Sequence, residues 1–330
     1  MIKLALAGFG LIGERHAKAI AENSRCELAA LVEPDHRKAA GLACPVFNAL
    51  EDIDCAVDGV ILATPTNLHR EQAVYALKRG WHVLIEKPIA GTVEDAEAIA
   101  QASLDGGRSV LVGHHRRHHP RVQKLREILQ SGVLGDIVTL SMMWGVKKPD
   151  AYFEGNWRSG EDGSPIMINA VHDLDLLRFL FGEIEDIKGF GNRGRRSTAR
   201  TETAACVIQF EGGCLATLTI SDTTPAPWGF EMGVNENPNI GATGQDMLFV
   251  SGTKGAISFP SLTLWTGSPD WSEAPQPDKI ACEPGIPLNN QLNHFLDIIE
   301  HGQEPLIDAN DGLRTLSATL ALENITNFNK

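Results

Sequence analysis

The chain has 330 residues, of which 43% are apolar and 22% charged; that is the balance of a folded globular protein long enough for two cores. Its net charge of −13 leaves no bulk attraction for nucleic acid or for an anionic membrane surface. The cysteines Cys26, Cys44, Cys55, Cys206, Cys214 and Cys282 form no C-x-x-C pair and stand at no metal-ligand spacing, so no metal site is expected, and reduced thiols in a cytoplasmic protein are.

The opening MIKLALAGFGLIGERH is rich in Gly and lacks a small-residue cleavage site, so it is not expected to be a signal peptide. No apolar run approaches the roughly 20 residues that cross a bilayer. Instead, short apolar runs alternate with helical patterns. Strands are expected at Ile2–Ala7, Leu28–Val32, Gly59–Ala63, His82–Ile85 and Ser109–Val112. Helices are expected at Leu11–Asn23, Asp35–Ala43, Leu68–Arg79 and Val93–Leu104. This alternation predicts a doubly wound α/β fold with a parallel sheet covered on both faces.

The pattern changes after Pro120. A helix over Val122–Leu129 leads to a strand over Ile137–Trp144, and a second helix spans Pro165–Phe181. Strand-like runs follow at Thr203–Phe210, Cys214–Ile220, Met247–Val250, Ala256–Phe259 and Leu262–Trp265, with Gly212-Gly213 as a hairpin signal. Strands in succession predict a mostly antiparallel or mixed sheet. Asp222–Gly244, rich in Pro, Gly and Asn, reads as a long loop, either a lid or a surface excursion. Helices Leu288–His301 and Asp308–Phe328 close the chain.

Gly8-Phe9-Gly10-Leu11-Ile12-Gly13 directly follows the first strand and opens a helix. The first Gly permits a tight turn, the second lets backbone approach a pyrophosphate, and the third lets helix and strand pack closely. The helix N-terminus offers free N–H groups to the phosphates. Glu33 ends the second strand, where an acidic group accepts hydrogen bonds from ribose hydroxyls and repels a 2′-phosphate. The expected cofactor is therefore NAD. NADP stays open as an alternative because His36, Arg37 and Lys38 lie close in sequence.

Three further segments fall at the carboxyl ends of predicted strands, the ligand edge of such sheets. They are Ala63-Thr64-Pro65-Thr66-Asn67-Leu68-His69, Glu86-Lys87-Pro88 and Gly113-His-His-Arg-Arg-His-His-Pro120. In that order, with the glycine motif, the segment His172-Asp-Leu-Asp175 and the closing stretch Pro305–Leu320, the chain resembles the glucose–fructose oxidoreductase, inositol dehydrogenase and rhizopine catabolism (Gfo/Idh/MocA) family. Glu-Lys-Pro is the most specific element. The resemblance implies an NAD(P)-binding Rossmann domain over 1–119. It implies a substrate-binding and oligomerisation domain over 120–330, built on a large open sheet whose free face makes homodimers or homotetramers. It also implies a dehydrogenase or reductase of sugars, cyclitols and related alcohols.

Oxidising a secondary alcohol requires a base within hydrogen-bond reach of the hydroxyl and a cation near the developing alkoxide. By resemblance, Lys87 is catalytic and contacts both substrate and cofactor, and His172 is the general acid/base. Many members carry an Asp four residues before that His; Ile168 stands there in this chain, and Asn169 is the nearest polar group. Asn cannot titrate, so the proton is expected on His172 or Lys87, with Asn169 orienting a substrate hydroxyl. Thr64, Pro65, Asn67, His69 and Glu86 are expected near the cofactor, and Asn67 is also a candidate helix cap.

The run His114–Arg121 reads either as a solvated basic loop or as the source of a substrate-facing Arg117. Together with Trp157 and Arg158, Arg117 is a candidate for binding a carboxylate or phosphate. The leading expectation is hydride transfer between the cofactor and a small hydroxylated substrate, a sugar, polyol or cyclitol. The competing readings are a dehydrogenase of a hydroxylated ring or sugar acid, an NAD-retaining glycosidase and a non-catalytic dinucleotide sensor.

Overall fold

A computed structural model describes residues 1–154, 158, 160, 163–196, 200–237 and 239–326. Internal contacts divide the chain into two units, Met1–His119 with Gly285–Ser317, and Pro120–Pro284 with Ala318–Lys330.

In the first unit, β1 (Ile2–Ala7), β2 (Cys26–Val32), β3 (Val46–Phe47), β4 (Gly59–Leu62), β5 (His82–Ile85) and β6 (Val110–Val112) form one sheet. The order is β3-β2-β1-β4-β5-β6, and every pairing is parallel. Leu4, Leu6, Val60, Ile61 and Leu84 are fully buried, as strands covered on both faces require. Connecting helices are α1 (Leu11–Ala21), α2 (His69–Lys78) and α3 (Val93–Gly106). The Thr92 side chain caps α3 by accepting from the Asp95 N–H, and Gly107 ends it in the left-handed region. Strand order reverses at β1 and β4, which opens a crevice at their carboxyl ends.

Two expectations in this unit are corrected. Asp35–Ala43 is not a helix but successive i to i+3 turns (Lys38 N–H to Asp35 O, Leu42 N–H to Ala39 O). The Asp35 carboxylate takes the Arg37 backbone N–H and guanidinium, a local alternative that competes with helix. The run after Gly113 is also not a solvated loop. His115–His118 forms a 3-10 turn, and His114, Arg116, Arg117, His118 and His119 are buried.

The stretch Gly285–Ser317 groups with the first unit, although the sequence reading placed it after 120. Close packing is the reason. A side chain at Gly59 of β4 would meet Ile299 Cδ1 at 2.9 Å and Phe295 Cζ at 3.0 Å, both on α7 (Pro287–His301). Arg25 also pairs with Asp297 at 2.7 Å, and Asn290 Nδ2 donates to the His118 carbonyl at 3.0 Å.

The second unit holds α4 (Pro120–Gln130), β7 (Ile137–Gly145), α5 (Val171–Phe181), β8 (Ile184–Asn192), β9 (Thr203–Phe210), β10 (Leu215–Ser221), α6 (Phe230–Val234), β11 (Leu248–Gly252), β12 (Ala256–Phe259), β13 (Thr263–Thr266) and β14 (Gln276–Lys279). The sheet runs β14-β13-β12-β11-β7-β10-β9-β8, with β10 and β7 parallel and the other pairs antiparallel. Residues alternate between faces. Leu218, Cys206, Met142 and Leu248 are in register on the buried face, and Val207, Thr217, Ser141 and Phe249 on the open one. The chain closes with α8 (Ala309–Thr326).

Three elements have no counterpart in the sequence reading. β8 carries Gly189 and Gly191; a Cβ at Gly189 would lie 2.6 Å from the Ala205 carbonyl oxygen, so β8 needs glycine to approach β9. β14 is an exposed edge strand of charged and Pro residues without apolar alternation. Helix α6 interrupts the expected Asp222–Gly244 loop. Its Phe230 is fully buried and stacks on Phe259 at 5.9 Å, and Glu231 accepts from Trp144 Nε1 at 2.9 Å.

Candidate active site

The glycine motif bridges β1 and α1. Gly8 has φ +88°, and a side chain on it would stand 2.6 Å from the Ala63 carbonyl oxygen. A Cβ on Gly13 would collide with the Gly8 carbonyl, so helix and loop touch backbone to backbone there. At Gly10, the N-cap of α1, a Cβ would meet nothing within 4 Å. Gly8 and Gly13 thus keep the turn tight, while Gly10 leaves the helix N-terminus open to a phosphate. Leu11 is exposed and Ile12 half-buried at the start of α1. Beside them lies a groove of about 660 Å³, lined by Gly8, Phe9, Gly10, Glu33, Thr64 and Pro65 among others. One Glu33 oxygen accepts from the Phe9 N–H at 3.1 Å and the other from the Asp35 N–H at 3.0 Å, with Lys38 Nζ at 3.5 Å. An open helix end beside a fixed carboxylate fits a dinucleotide, with pyrophosphate on the N–H groups and ribose on Glu33.

The neighbouring loops are laced to one another. His69, fully buried, bonds the Thr64 carbonyl through Nε2 at 3.0 Å and the Pro88 carbonyl through Nδ1 at 3.1 Å. Burial pushes its pKa down against the pull of those carbonyls. Thr64 Oγ1 donates to Gln72 Oε1 at 2.6 Å. Asn67 is exposed and does not cap α2, whose N-cap is Leu68. Lys87 is half-buried past the end of β5, its N–H 3.3 Å from Glu86 Oε2. Glu86 meets His16 of α1 at 2.9 Å. Burial alone would push the Glu86 carboxyl up; the hydrogen bond and charge of His16, with the charges of His115 and Lys87, outweigh it and hold the group at about 2. His16, three residues after Gly13, is a contact the sequence reading missed.

Arg117 is 3% exposed; its Nη1 lies 2.5 Å from Asp311 Oδ2 and 3.4 Å from the Leu306 carbonyl. Those contacts tie β6 to the start of α8 and give this guanidinium structural work.

In the second unit, Ile166–Ala170 forms a π turn that runs into α5. Such a turn is common at functional sites because it displaces side chains from α-helical register. Ser164 anchors it, donating to Glu323 Oε2 at 2.6 Å and accepting from the Met167 N–H at 3.2 Å. Asn169 lies in the π turn and His172, buried, in the first turn of α5. Arg158 sits over the Tyr152 ring at 4.7 Å. Trp157 lies outside the described residues. The sequence reading also missed Lys148, whose Nζ donates to Asn169 Oδ1 at 2.7 Å.

Comparison with known proteins agrees with this picture. Residues 2–114 match the oxidoreductase family with an NAD-binding Rossmann fold, and residues 122–258 match the GFO/IDH/MocA C-terminal domain. An inositol 2-dehydrogenase of Rhizobium meliloti is 25% identical over 340 residues, covering 96% of this chain and 94% of that protein. A 4-carboxy-2-hydroxymuconate-6-semialdehyde dehydrogenase of Sphingobium is 27% identical over 235 residues, 69% of this chain and 74% of that protein. With two other relatives the chain aligns over only 51% and 57% of their lengths. An oxidoreductase of Agrobacterium radiobacter, solved with NAD⁺, L-tartaric acid and magnesium, shares the fold at TM-score 0.83 and 17% identity, over 100% of this chain and 97% of that one. The fold and the cofactor groove define an NAD-binding oxidoreductase. The chain belongs to the Gfo/Idh/MocA family.

Proposed function

We propose that this chain moves a hydride between NAD(H) and a secondary alcohol or ketone of a sugar, polyol or cyclitol. The observation that carries the reading is the groove at the carboxyl ends of β1, β2 and β4, where Gly10 leaves a helix N-terminus open beside the Glu33 carboxylate. The Glu33 charge repels a ribose 2′-phosphate and so favours NAD over NADP. The likeness to an inositol 2-dehydrogenase over nearly its whole length supports a polyol or cyclitol as substrate.

Bound NAD supplies a hydride acceptor. The hydroxyl proton of the alcohol must leave as the hydride does, and Lys87 and His172 are assigned to take it. Asn169 does not titrate, and its role is to orient a substrate oxygen. The Thr64–Pro65 and Glu86–Lys87–Pro88 segments, joined through His69, hold the cofactor side of the site rigid.

The open sheet face bears the exposed apolar residues Phe190, Val207, Leu215 and Phe249, which supports a homodimer or homotetramer. Free cysteines support a cytoplasmic location. Among the described residues, no helix is long and apolar enough to cross a membrane.

The test is NADH formation from NAD⁺ with myo-inositol and aldoses. Lys87→Met and His172→Ala are expected each to lower kcat by about 10²–10⁴-fold while NADH still binds. Tight NADH binding with no turnover of any alcohol would overturn the reading in favour of a sensor. Cleavage of glycosides without net NADH would favour the glycosidase.

A further inference from the structure

We propose that Lys148 is a positioning residue that turns Asn169 into a hydrogen-bond donor toward the substrate and makes this corner the seat of a carboxylate. The proposal rests on the reading that the Asn169–His172 segment meets the substrate.

The argument starts from what each group can do. An ammonium only donates. Lys148 Nζ lies 2.7 Å from Asn169, so the amide oxygen must face it, and the two N–H bonds of Nδ2 point elsewhere. Asn169 is half-buried, and no contact among the described residues occupies Nδ2. The amide and the ammonium thus form a pair that donates and does not accept. Such a pair selects an oxygen acceptor, and its positive charge favours an ionised one.

Lys148 is also built in. It is 8% exposed, an unusual place for a lysine. Its backbone N–H donates to the Asp222 carbonyl at 3.0 Å, and its carbonyl accepts from Arg196 Nη2 at 3.0 Å. Asp222, fully buried, is gripped by Arg196 at 2.8 Å and Arg200 at 2.9 Å. The Lys148 ammonium lies 5.0 Å from the Tyr152 ring centre and 5.7 Å from the Trp144 ring. On Tyr152 it is joined by Arg158. Two cations on one ring beside an amide donor make a subsite for a planar anion.

The experiment compares D-glucuronate with D-glucose, which share a ring and differ in one carboxylate, in the full-length protein with NAD⁺. The wild type should show the lower KM for glucuronate. Lys148→Met should raise that KM at least tenfold with kcat within threefold, leave the glucose KM nearly unchanged, and be largely rescued by Lys148→Arg. Asn169→Asp, which cannot donate, should lose the preference too. A wild type that prefers glucose, or a Lys148→Met that raises both KM values alike, overturns the proposal. So does a Lys148→Arg that behaves as Lys148→Met with the same fall in Tm, which would mark a structural strut. If neither sugar is oxidised, calorimetric titration of both into the NADH complex decides. Glucuronate binding that Lys148→Met removes upholds this inference and leaves the hydride-transfer reading to fail alone; equal binding, or no glucuronate binding, overturns it.

Discussion

His16 Nε2 and Glu86 Oε1 meet at 2.9 Å across 70 residues of sequence, both buried, so the helix that opens at the cofactor groove is fastened to the residue before Lys87. Gly113 makes room for this contact, since a Cβ there would stand 3.1 Å from Glu86 Oε2. Removing one partner of a buried pair strands the other, so His16→Ala is expected to lower unfolding stability by about 3 kcal/mol. Urea denaturation checks it, and a loss below about 0.5 kcal/mol would mean that the pair contributes nothing net.

The same pair predicts a pH dependence. The folded Glu86 carboxyl is held at about 2, below the roughly 4.3 of an unfolded Glu. Its contribution is therefore complete above that unfolded value and is lost as pH falls from there toward 2. Tm measured between pH 5 and 2.5 should fall more steeply in the wild type than in Glu86→Gln. Parallel curves would remove Glu86 as a source of acid sensitivity.

The glycines of the motif should separate folding from binding. Gly13→Ala forces backbone apart, at a cost of about 3 kcal/mol. Gly10→Ala meets no protein atom within 4 Å and should change stability by less than about 1 kcal/mol. It should still weaken NADH at least tenfold, because its methyl stands where a pyrophosphate approaches. Thermal melts and NADH fluorescence titration check both halves.

Glu33→Gln keeps an acceptor for the Phe9 N–H but removes the charge. The preference for NAD⁺ over NADP⁺, read as a ratio of kcat/KM, should fall about tenfold, or 1.4 kcal/mol. An unchanged ratio would show that the carboxylate does not meet the ribose.

Arg117 and Asp311, at 2.5 Å with Arg117 almost wholly buried, should behave as a coupled pair. Arg117→Met and Asp311→Asn are each expected to cost about 2–3 kcal/mol, and the double variant much less than their sum. Additive losses in a denaturation cycle would refute the coupling.

Much of this protein was legible as sequence because its signals are local. The alternation of apolar runs with helical patterns defines the parallel sheet, and Gly8, Gly10, Gly13 and Glu33 act within one strand–turn–helix unit and its neighbouring strand. Glu86-Lys87-Pro88 is recognisable because three adjacent residues carry it. Local rules failed where partners are distant. A helix over Asp35–Ala43 is reasonable by pattern, but one carboxylate bonding Arg37 was enough to favour turns. β8 was hidden because its glycines exist to let β9 approach, which no local period records. His16 and Glu86, Arg117 and Asp311, and Lys148 and Asn169 are separated by 70, 194 and 21 residues. A side chain's chemistry is a property of its type, but whether it titrates, braces or binds depends on what folding sets within hydrogen-bond reach. The sequence therefore determined that this chain builds a Rossmann sheet with a dinucleotide cradle and carries a Lys and a His fit for proton transfer. Only the tertiary structure decided that Arg117 is a strut and that the amide of Asn169 faces Lys148 with its oxygen.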